Sequence, residues 1–523
     1  MISLYCANTA HSAGQLVLAA LSRSVSKMQI RWQAPALLGT CGPTIIVVIN
    51  PTEEFGLKLL SLMEMRPCKL ILFGELPPCL IKHFRFEVID WPRDWHDASR
   101  SASAPSHGFA ESRAKICYRR GAAQLKAEGW SRPFERFDFA DEWNNLGYGR
   151  LRSDCSIWSV AQPLKALSAH EIAGIEICGL ESVSYCALFD QTKTSMLWIN
   201  RPVGTIDSYE WRLVEYYLAS YRADVLPCQP VILEIPGGYD AAITMRLDCD
   251  EDVESARPLW NTYREMNLPF SLAVHTSNLT DAKNHRILQE MTLAGESILS
   301  HTATHASNWG GTYEAAFHEG MESAQKLKEV TGQMIRFAVS PFHQTPTYAL
   351  QGLVDAGYEG VVGGIIRNDP EFLISRGGEL AGLPSGFIGH SQQCMLHGDC
   401  LLAGEDPLAV YKLAFDLAFE TNTMFGYLDH PFSSRYQYGW QDEASRVNFH
   451  RAFIHYIQSK ANKPIFLSQT DALGFIQDKM FWQVDIQSNG YELSHHTKQP
   501  MKFRPQVEYR GHYYLAEIGA RLS

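Results

Sequence analysis

The chain contains 523 residues, of which 46% are hydrophobic and 20% charged, and it carries a formal net charge of −11. This length exceeds what one ordinary hydrophobic core supports, so the sequence predicts two to four domains. The mild negative charge argues against a general nucleic-acid binder, because neutralising a phosphate backbone requires a basic protein face. Twelve cysteines without a Cys-x-x-Cys pair favour reduced thiols over a disulfide framework or a zinc ribbon.

The sequence contains no pattern typical of membrane insertion or secretion. No stretch reaches eighteen consecutive apolar residues, so we expect no transmembrane helix. The apolar run at residues 16–21 has no basic segment before it and is followed by Arg23 and Lys27, which is not the pattern of a secretory signal. We therefore expect a cytoplasmic protein.

Residues 1–235 are predicted to form an α/β N-terminal region. Residues 44–50 and 68–73 are continuous apolar runs, which is typical of parallel strands buried on both faces. A helix at 53–65 separates them, and a third strand is expected at 86–89. This alternation favours a flavodoxin-like layer.

The remainder of this region begins with a segment of loop composition. Residues 93–112 are rich in Ser, Ala and Pro and are predicted to form a linker. After the linker we expect a helix at 114–128, strands at 174–178, 183–188 and 196–199, and a helix at 208–223. Pro236-Gly237-Gly238 then indicates a domain boundary.

From residue 236 to 477, short apolar strands alternate regularly with amphipathic helices. The expected strands lie at 242–247, 270–274, 297–300, 335–339, 360–364, 424–428 and 465–467. Seven such units predict a parallel β/α barrel, in which catalytic groups cluster at the carboxyl ends of the strands. Residues 478–523 alternate aromatic and polar side chains around a turn at 488–490, so a small β appendage is expected.

Four polar clusters follow predicted strands of this second region. The clusters are Asp248-Cys249-Asp250, His301-Thr302-Ala303-Thr304-His305, Ser340-Pro341-Phe342-His343 and Leu428-Asp429-His430. Carboxylates beside imidazoles can hold a divalent metal and supply an adjacent base. The four acids among residues 248–252 would repel one another unless a cation compensates them.

These clusters, in this order, resemble the motifs of the polysaccharide deacetylase family, the NodB-homology enzymes of carbohydrate esterase family 4. The resemblance covers residues 240–475 and implies a distorted (β/α)7 barrel. The Asp-x-Asp spacing is similar to that of the branch acting on lipid-linked or biofilm-type sugars. Where the family has an arginine before the proline of its third motif, this chain has Val339, and Arg336 lies three residues earlier.

The resemblance also implies a role for each matching residue. Asp250, His301 and His305 would hold one divalent metal ion, commonly zinc. Asp248 would be the general base toward the attacking water, and His430 the general acid that protonates the departing amine. A backbone N–H near Phe342 would stabilise the oxyanion. Substrate contacts are expected from Pro341, Phe342, His343, Leu428 and Arg435.

We therefore expect a metal-dependent hydrolase that removes an N-acetyl group from an amino sugar in a surface-polysaccharide or glycolipid precursor. That precursor would be lipid- or nucleotide-linked, and the protein would act beside surface-polysaccharide biosynthesis enzymes. Two alternatives remain open. One is an amidohydrolase acting on a non-sugar cyclic amide or ureide. The other is a catalytically degenerate binding or scaffold protein, which Val339 in place of the family arginine keeps open.

Overall fold

The computed structural model describes most of the chain. The described residues are 1–38, 45–93, 95, 114–133, 155–363, 376–391, 394–398, 401, 406–433, 437–497 and 501–523. Most of the predicted linker at 93–112 lies outside these residues, as does Arg435. Thr44 and Gly364, which end two predicted strands, lie outside them too.

The N-terminal half is built on one large mixed sheet. Its strands and their neighbours are β1 (Ile2–Cys6), β2 (Ile30–Trp32), β3 (Ile45–Ile49), β4 (Cys68–Phe73), β5 (Glu87–Val88), β6 (Ala114–Tyr118), β7 (Ser131–Pro133), β8 (Leu164–Lys165), β9 (Glu171–Ile177), β10 (Leu180–Asp190) and β11 (Thr194–Ile199). The nine-stranded order is β2-β1-β3-β4-β11-β10-β9-β6-β7, and its first five strands are parallel. The remaining four are antiparallel.

Helices cover both faces of the parallel part of this sheet. The helices are α1 (His11–Ser24), α2 (Glu53–Met65), α3 (Pro78–His83) and α4 (Trp211–Ala219). Along β3, Ile45, Val47 and Ile49 pack into the hydrophobic cluster that contains α1. Ile46 and Val48 pack into the cluster that contains α2. Because successive strand residues point to opposite faces, a strand covered on both faces must be apolar throughout.

One expectation for this half is wrong. The helix expected at 114–128 is a strand, β6, followed by a 3-10 turn at Arg120–Leu125. Ala114, Ile116 and Tyr118 are buried alternately against the sheet, so pairing with β9 overrides the local helical preference. The third strand expected at 86–89 is present as β5, but it pairs with β8 outside the main sheet.

The second half contains a sheet that is parallel except at one edge. Its strands and the preceding β12 are β12 (Val231–Pro236), β13 (Ala241–Cys249), β14 (Ser271–Val274), β15 (Ser297–Ser300), β16 (Phe337–Val339), β17 (Gly360–Gly363), β18 (Gly378–Glu379), β19 (Ile388–Ser391), β20 (Cys394–Met395), β21 (Phe425–Asp429) and β22 (Pro464–Leu467). The order is β18-β19-β17-β16-β15-β14-β13-β21-β20, and β22 also pairs with β13. Only the β18–β19 pairing among these described strands is antiparallel.

Helices follow most of these strands along the chain. They are α5 (Arg257–Glu265), α6 (Lys283–Leu293), α7 (Tyr313–Thr331), α8 (Thr347–Asp355), α9 (Ala409–Glu420), α10 (Glu443–Lys460) and α11 (Gln469–Lys479). All seven strands expected here are present. The sequence did not predict β18, β19 and β20, because strands of two to four residues carry too little alternation to detect.

Strand β13 is central to this sheet and separates an apolar face from a polar one. Its alternate residues Ile243, Met245 and Leu247 pack into the largest hydrophobic cluster, together with the surrounding helices. The intervening Arg246 and Asp248 therefore point to the opposite face, although both are buried. Strand β13 thus carries buried charged side chains on the face opposite the largest hydrophobic cluster.

The C-terminal residues form two small antiparallel sheets. Their strands are β23 (Trp482–Gln487), β24 (Gly490–His495), β25 (Pro505–Tyr509), β26 (His512–Leu515) and β27 (Arg521–Leu522). One sheet has the order β23-β24-β27, and the other has the order β12-β25-β26. The tail is therefore tied to β12, which precedes the parallel sheet. Across the described ranges, no helix is both long and apolar enough to cross a membrane.

A buried ion pair joins the two halves. Arg376 donates from Nε to Oε1 of Glu215 at 3.0 Å and from Nη2 to Oε2 at 2.8 Å. Glu215 lies on α4, and its Oε1 also accepts the Ser24 hydroxyl at 2.8 Å. Burial alone would raise the pKa of Glu215, but the Arg376 charge outweighs it and lowers that pKa to about 2. The carboxylate is therefore ionised and fully compensated.

Changing Glu215→Ala should reduce the free energy of unfolding by about 3–5 kcal/mol, because Arg376 would remain buried without its counter-charge. The matched control is Glu54→Ala, which breaks the exposed pair with Lys58 and should leave urea unfolding unchanged. Since the folded pKa of Glu215 is about 2 against an ordinary 4.5, its contribution is full above pH 4.5 and disappears as pH falls toward 2. Equal midpoints for both variants would contradict this role.

Candidate functional site

The carboxyl ends of neighbouring parallel strands bring the predicted site residues to one edge of the sheet. Asp248 lies at the end of β13 and Asp250 directly follows that strand. His301 follows β15, and His430 follows β21. Because β15, β14, β13 and β21 are consecutive in the sheet, the residues that follow them lie close together.

Asp250, His301 and His305 form a compact group of metal-binding type. Asp250 Oδ1 lies 3.5 Å from His301 Nε2 and 3.4 Å from His305 Nε2. The two Nε2 atoms are 3.1 Å apart. Ligands about 2.1 Å from a tetrahedral zinc ion are about 3.4 Å from one another. The three predicted ligand atoms are therefore spaced as one ion would require.

The hydrogen bonding of these groups also fits a cation. Asp250 Oδ1 is buried and accepts no hydrogen bond from the described part of the chain. His301 donates from Nδ1 to the Val339 carbonyl at 3.1 Å, which leaves Nε2 as the nitrogen with a free lone pair. Burial and the nearby His301 lower the pKa of His305 to about 4, so that imidazole is neutral near pH 7. One carboxylate and two imidazole nitrogens suit a divalent ion such as zinc.

The loop that carries the two histidines is held in a tight conformation. Thr302 and His305 have φ values of +70° and +57°. Glu319, on α7, accepts hydrogen bonds from the backbone N–H groups of Ala303 and Thr304, both at 2.9 Å. The Thr304 hydroxyl donates to the same carboxylate at 2.6 Å. Glu319 therefore fixes the turn that brings His305 back toward His301.

His275 is a site residue that the sequence did not reveal. It follows β14, and its Nε2 donates to the backbone carbonyl of Asp250 at 2.7 Å. The Ser277 hydroxyl lies 2.7 Å from His275 Nδ1, where it can donate. Burial lowers the pKa of His275, which keeps the ring neutral with one donor and one acceptor. His275 thereby anchors the backbone of Asp250, and its place after a strand was the only sequence signal.

Asp248 is held by an arginine from its own strand. Arg246 donates from Nε to Asp248 Oδ1 at 2.6 Å and from Nη2 to Oδ2 at 3.0 Å. Both side chains are almost completely buried. Burial alone would raise the pKa of Asp248, but the Arg246 charge lowers it to about 2. Arg246 was not predicted to be a site residue, although its position two residues before Asp248 places it on the same strand face.

Val339 and Arg336, the two residues considered for the place of the family arginine, do not contact Asp248 through the hydrogen bonds that the structure describes. The Val339 carbonyl accepts the hydrogen bond from His301. Arg336 donates to Glu359 at 2.6 Å and to Gln477 at 2.8 Å. Arg336 precedes β16, at the opposite end of that strand from the site. The guanidinium that contacts Asp248 therefore comes from β13.

His430 lies on the other side of Asp250. Its Nε2 is 3.6 Å from Asp250 Oδ2, and its Nδ1 is 2.8 Å from His397 Nε2. The Tyr438 ring stacks on His430 with centroids 4.2 Å apart and planes inclined by 17°. The Tyr438 hydroxyl also donates to Asp250 Oδ2 at 3.3 Å. Neither His397 nor this contact of Tyr438 was expected from the sequence.

The residues expected to contact substrate differ in their exposure to solvent. Phe342 is 44% exposed, and its ring lies 4.6 Å from that of His305. Pro341 and His343 are buried, and burial lowers the pKa of His343 to about 3. Leu428 is fully buried against Met395. Phe342 is thus the described member of this set with a large exposed surface beside the histidines.

Substitutions of Asp250 and Asp248 should have different effects on zinc affinity. Asp250→Asn should weaken zinc binding by on the order of 100-fold, because one charged ligand is removed. Asp248→Asn is the matched control and should retain zinc, since Asp248 pairs with Arg246 instead. Zinc titration against a competing chelator measures both without any activity assay. Wild-type affinity in Asp250→Asn would contradict the ligand assignment.

Solved structures that match part of this chain include three whose names give different activities. One from Mycobacterium smegmatis, named as a polysaccharide deacetylase, is 16% identical with a TM-score of 0.34 and covers 43% of this chain and 85% of its own. A family 4 acetyl xylan esterase from Clostridium thermocellum is 12% identical with a TM-score of 0.30, covering 44% and 89%. Puue allantoinase is 13% identical with a TM-score of 0.36, covering 46% and 91%.

A family model matches part of the sequence. No curated protein sequence matches the chain. Residues 247–361 match the family model described as polysaccharide deacetylase. This segment includes Asp248, Asp250, His301 and His305 and ends before His397 and His430. The match shows that this segment is similar to the polysaccharide deacetylase family.

Proposed function

We propose that this protein is a metal-dependent hydrolase that removes an N-acetyl group from an amino sugar. The observation that carries the proposal is the arrangement around Asp250. Its carboxylate lies beside the imidazoles of His301 and His305. A separate carboxylate, Asp248, accepts hydrogen bonds from Arg246 instead. His430 lies on the far side, 3.6 Å from Asp250. One edge of the sheet thus provides ligands, a base and an acid.

Asp250, His301 and His305 would hold the divalent ion, for which zinc is the natural candidate given two imidazoles and one carboxylate. Such an ion, when bound, supplies Lewis-acid polarisation of the acyl oxygen. The protein's own contribution is the spacing of the three ligands and the anchoring of their loop and backbone. Glu319 and His275 provide that anchoring.

Asp248 and His430 divide the proton transfers between them. Asp248 accepts a proton from the attacking water, and it is ionised near neutral pH because Arg246 lowers its pKa to about 2. Arg246 also fixes the orientation of the carboxylate by contacting both oxygens. His430 donates the proton on Nε2 to the leaving nitrogen, so that the products are acetate and an amine.

The proposed substrate is an N-acetylated amino sugar in a surface-polysaccharide or glycolipid precursor, either lipid- or nucleotide-linked. The polysaccharide deacetylase match supports a carbohydrate substrate. Phe342 supports it as well, since an exposed aromatic ring beside the ligands can pack on a sugar face. We further propose that the protein acts in the cytoplasm beside surface-polysaccharide biosynthesis enzymes.

Arg246 also bears on the alternative of a degenerate scaffold. That alternative arose because Val339 replaces the arginine expected beside the base. A guanidinium that contacts both Asp248 oxygens supplies an equivalent partner from another strand. The replacement of the family arginine by Val339 is therefore no longer a reason to prefer a scaffold.

Purified protein loaded with zinc should release acetate from N-acetylated amino-sugar oligosaccharides or from lipid- or nucleotide-linked N-acetyl sugars. Asp248→Asn should lose at least 100-fold in kcat while retaining zinc, because it removes the base and spares the ligands. Enzymatic acetate detection measures this directly. Ammonia or urea release from cyclic ureides, without acetate release from any of these sugars, would instead support the alternative amidohydrolase.

Arg246→Met should lower kcat for acetate release by on the order of 100-fold. Without the guanidinium, burial would raise the pKa of Asp248 and its carboxylate would lose its fixed orientation. Zinc content should persist, because the Arg246 guanidinium donates to Asp248, which is not one of the three proposed ligands. Arg336→Met is the matched control and should keep wild-type kcat. Wild-type kcat in Arg246→Met together with a large loss in Arg336→Met would instead assign the orientation of Asp248 to Arg336.

A further inference from the structure

His397 is a buried histidine in direct contact with the proposed acid. It follows β20 and is 1% exposed. Its Nε2 lies 2.8 Å from Nδ1 of His430. The Tyr411 hydroxyl, from α9, holds the His397 backbone at both polar groups. It accepts from the N–H at 3.3 Å and donates to the carbonyl at 3.1 Å.

The contact has a preferred direction. In a hydrogen bond between two imidazole nitrogens, one must carry a proton and the other a lone pair. Burial, reinforced by the nearby His430, lowers the pKa of His397 to about 3, so this ring is neutral and can accept at Nε2. When His430 is protonated for its role as the acid, both of its nitrogens carry protons, so it then donates from Nδ1 to His397 Nε2. Its other nitrogen, Nε2, is the one that faces Asp250.

The neighbouring carboxylate is engaged elsewhere. Asp429 Oδ2 accepts from Arg446 Nε and from His450 Nε2, each at 2.9 Å. Its Oδ1 accepts the backbone N–H of His430 at 2.7 Å. The His397 ring nitrogen is 4.0 Å from that oxygen, beyond hydrogen-bonding distance. Asp429 therefore fixes the His430 backbone, while an uncharged imidazole fixes its ring.

A tyrosine completes the enclosure of the His430 ring. The Tyr438 ring stacks on His430 with centroids 4.2 Å apart and contacts His397 with centroids 4.7 Å apart. Stacking fixes the plane of the imidazole, but a half turn about the Cβ–Cγ bond would return the ring to the same plane with Nδ1 on the other side. The 2.8 Å bond to His397 favours the orientation with Nδ1 toward His397. One restraint therefore fixes the plane of the ring, and the other fixes which edge faces His397.

We propose that His397 is the positioning residue for the general acid, an inference that rests on the proposed de-N-acetylase function. By accepting from Nδ1, His397 holds the Nε2–H of His430 toward the leaving nitrogen. When the C–N bond breaks, its electron pair goes to nitrogen and the Nε2 proton follows. His430 ends as a neutral imidazole that keeps its Nδ1 proton, and His397 stays neutral throughout.

A comparison of leaving groups tests this role. An amide of an amino sugar needs protonation of its nitrogen, whereas 4-nitrophenyl acetate loses a phenolate that needs none. His397→Ala should lower kcat on the N-acetyl sugar by on the order of 10- to 100-fold and leave kcat on the aryl ester close to that of wild type. His397→Gln, whose amide oxygen can accept from His430, should recover part of the lost amide activity.

Arg246→Met is the matched comparison, because a misplaced base should slow both substrates equally. The proposal is overturned if His397→Ala slows the ester as much as the amide, or slows neither. Zinc content and circular dichroism of His397→Ala identify a merely misfolded variant, and His397→Gln then decides by the same ratio of activities. Wild-type protein inactive on every N-acetyl sugar would sink the proposed function itself, and this inference with it.

Discussion

A buried carboxylate oxygen without a hydrogen-bond donor is the constraint on which the site depends. Asp250 Oδ1 is such an atom among the described residues, and two imidazole nitrogens lie within 3.5 Å of it. Leaving a charge in this state costs several kcal/mol unless a cation compensates it. The surrounding structure nevertheless enforces it, through His275 on the Asp250 backbone and Glu319 on the histidine loop. We infer that the fold is built to receive an ion.

The two aspartates at the carboxyl end of strand β13 have different partners and different proposed roles. Asp248 is compensated within the strand by Arg246, so it does not need the ion. Asp250 lies beyond the last residue of the strand, where the chain turns toward β14 and β15. A similar division holds on the acid side, where Asp429 anchors the backbone of His430 and His397 contacts its ring. Each proposed reacting group thus has its own partner.

Much of this arrangement could be read from local sequence patterns. The seven parallel strands were predictable because their apolar runs are continuous, and the proximity of Asp250, His301 and His430 because these residues follow such runs. The proposed ligand roles come instead from the resemblance to the polysaccharide deacetylase family. His397 was not predictable, since it follows a two-residue strand and meets His430 only through the pairing of β20 with β21. The strand β6 was mistaken for a helix because its pairing with β9 is a long-range contact. Arg246 could have been predicted as a site residue, because the period-two alternation of a strand alone places it on the same face as Asp248.

The central claim is that Asp250, His301 and His305 bind one divalent ion while Asp248 stays with Arg246. Anomalous diffraction at the zinc edge, from crystals grown with zinc, tests it most directly. We expect one strong peak about 2.0–2.2 Å from Asp250 Oδ1 and from both Nε2 atoms, with the Arg246–Asp248 pair intact. A peak bound by Asp248, or no peak among these three residues, would contradict it.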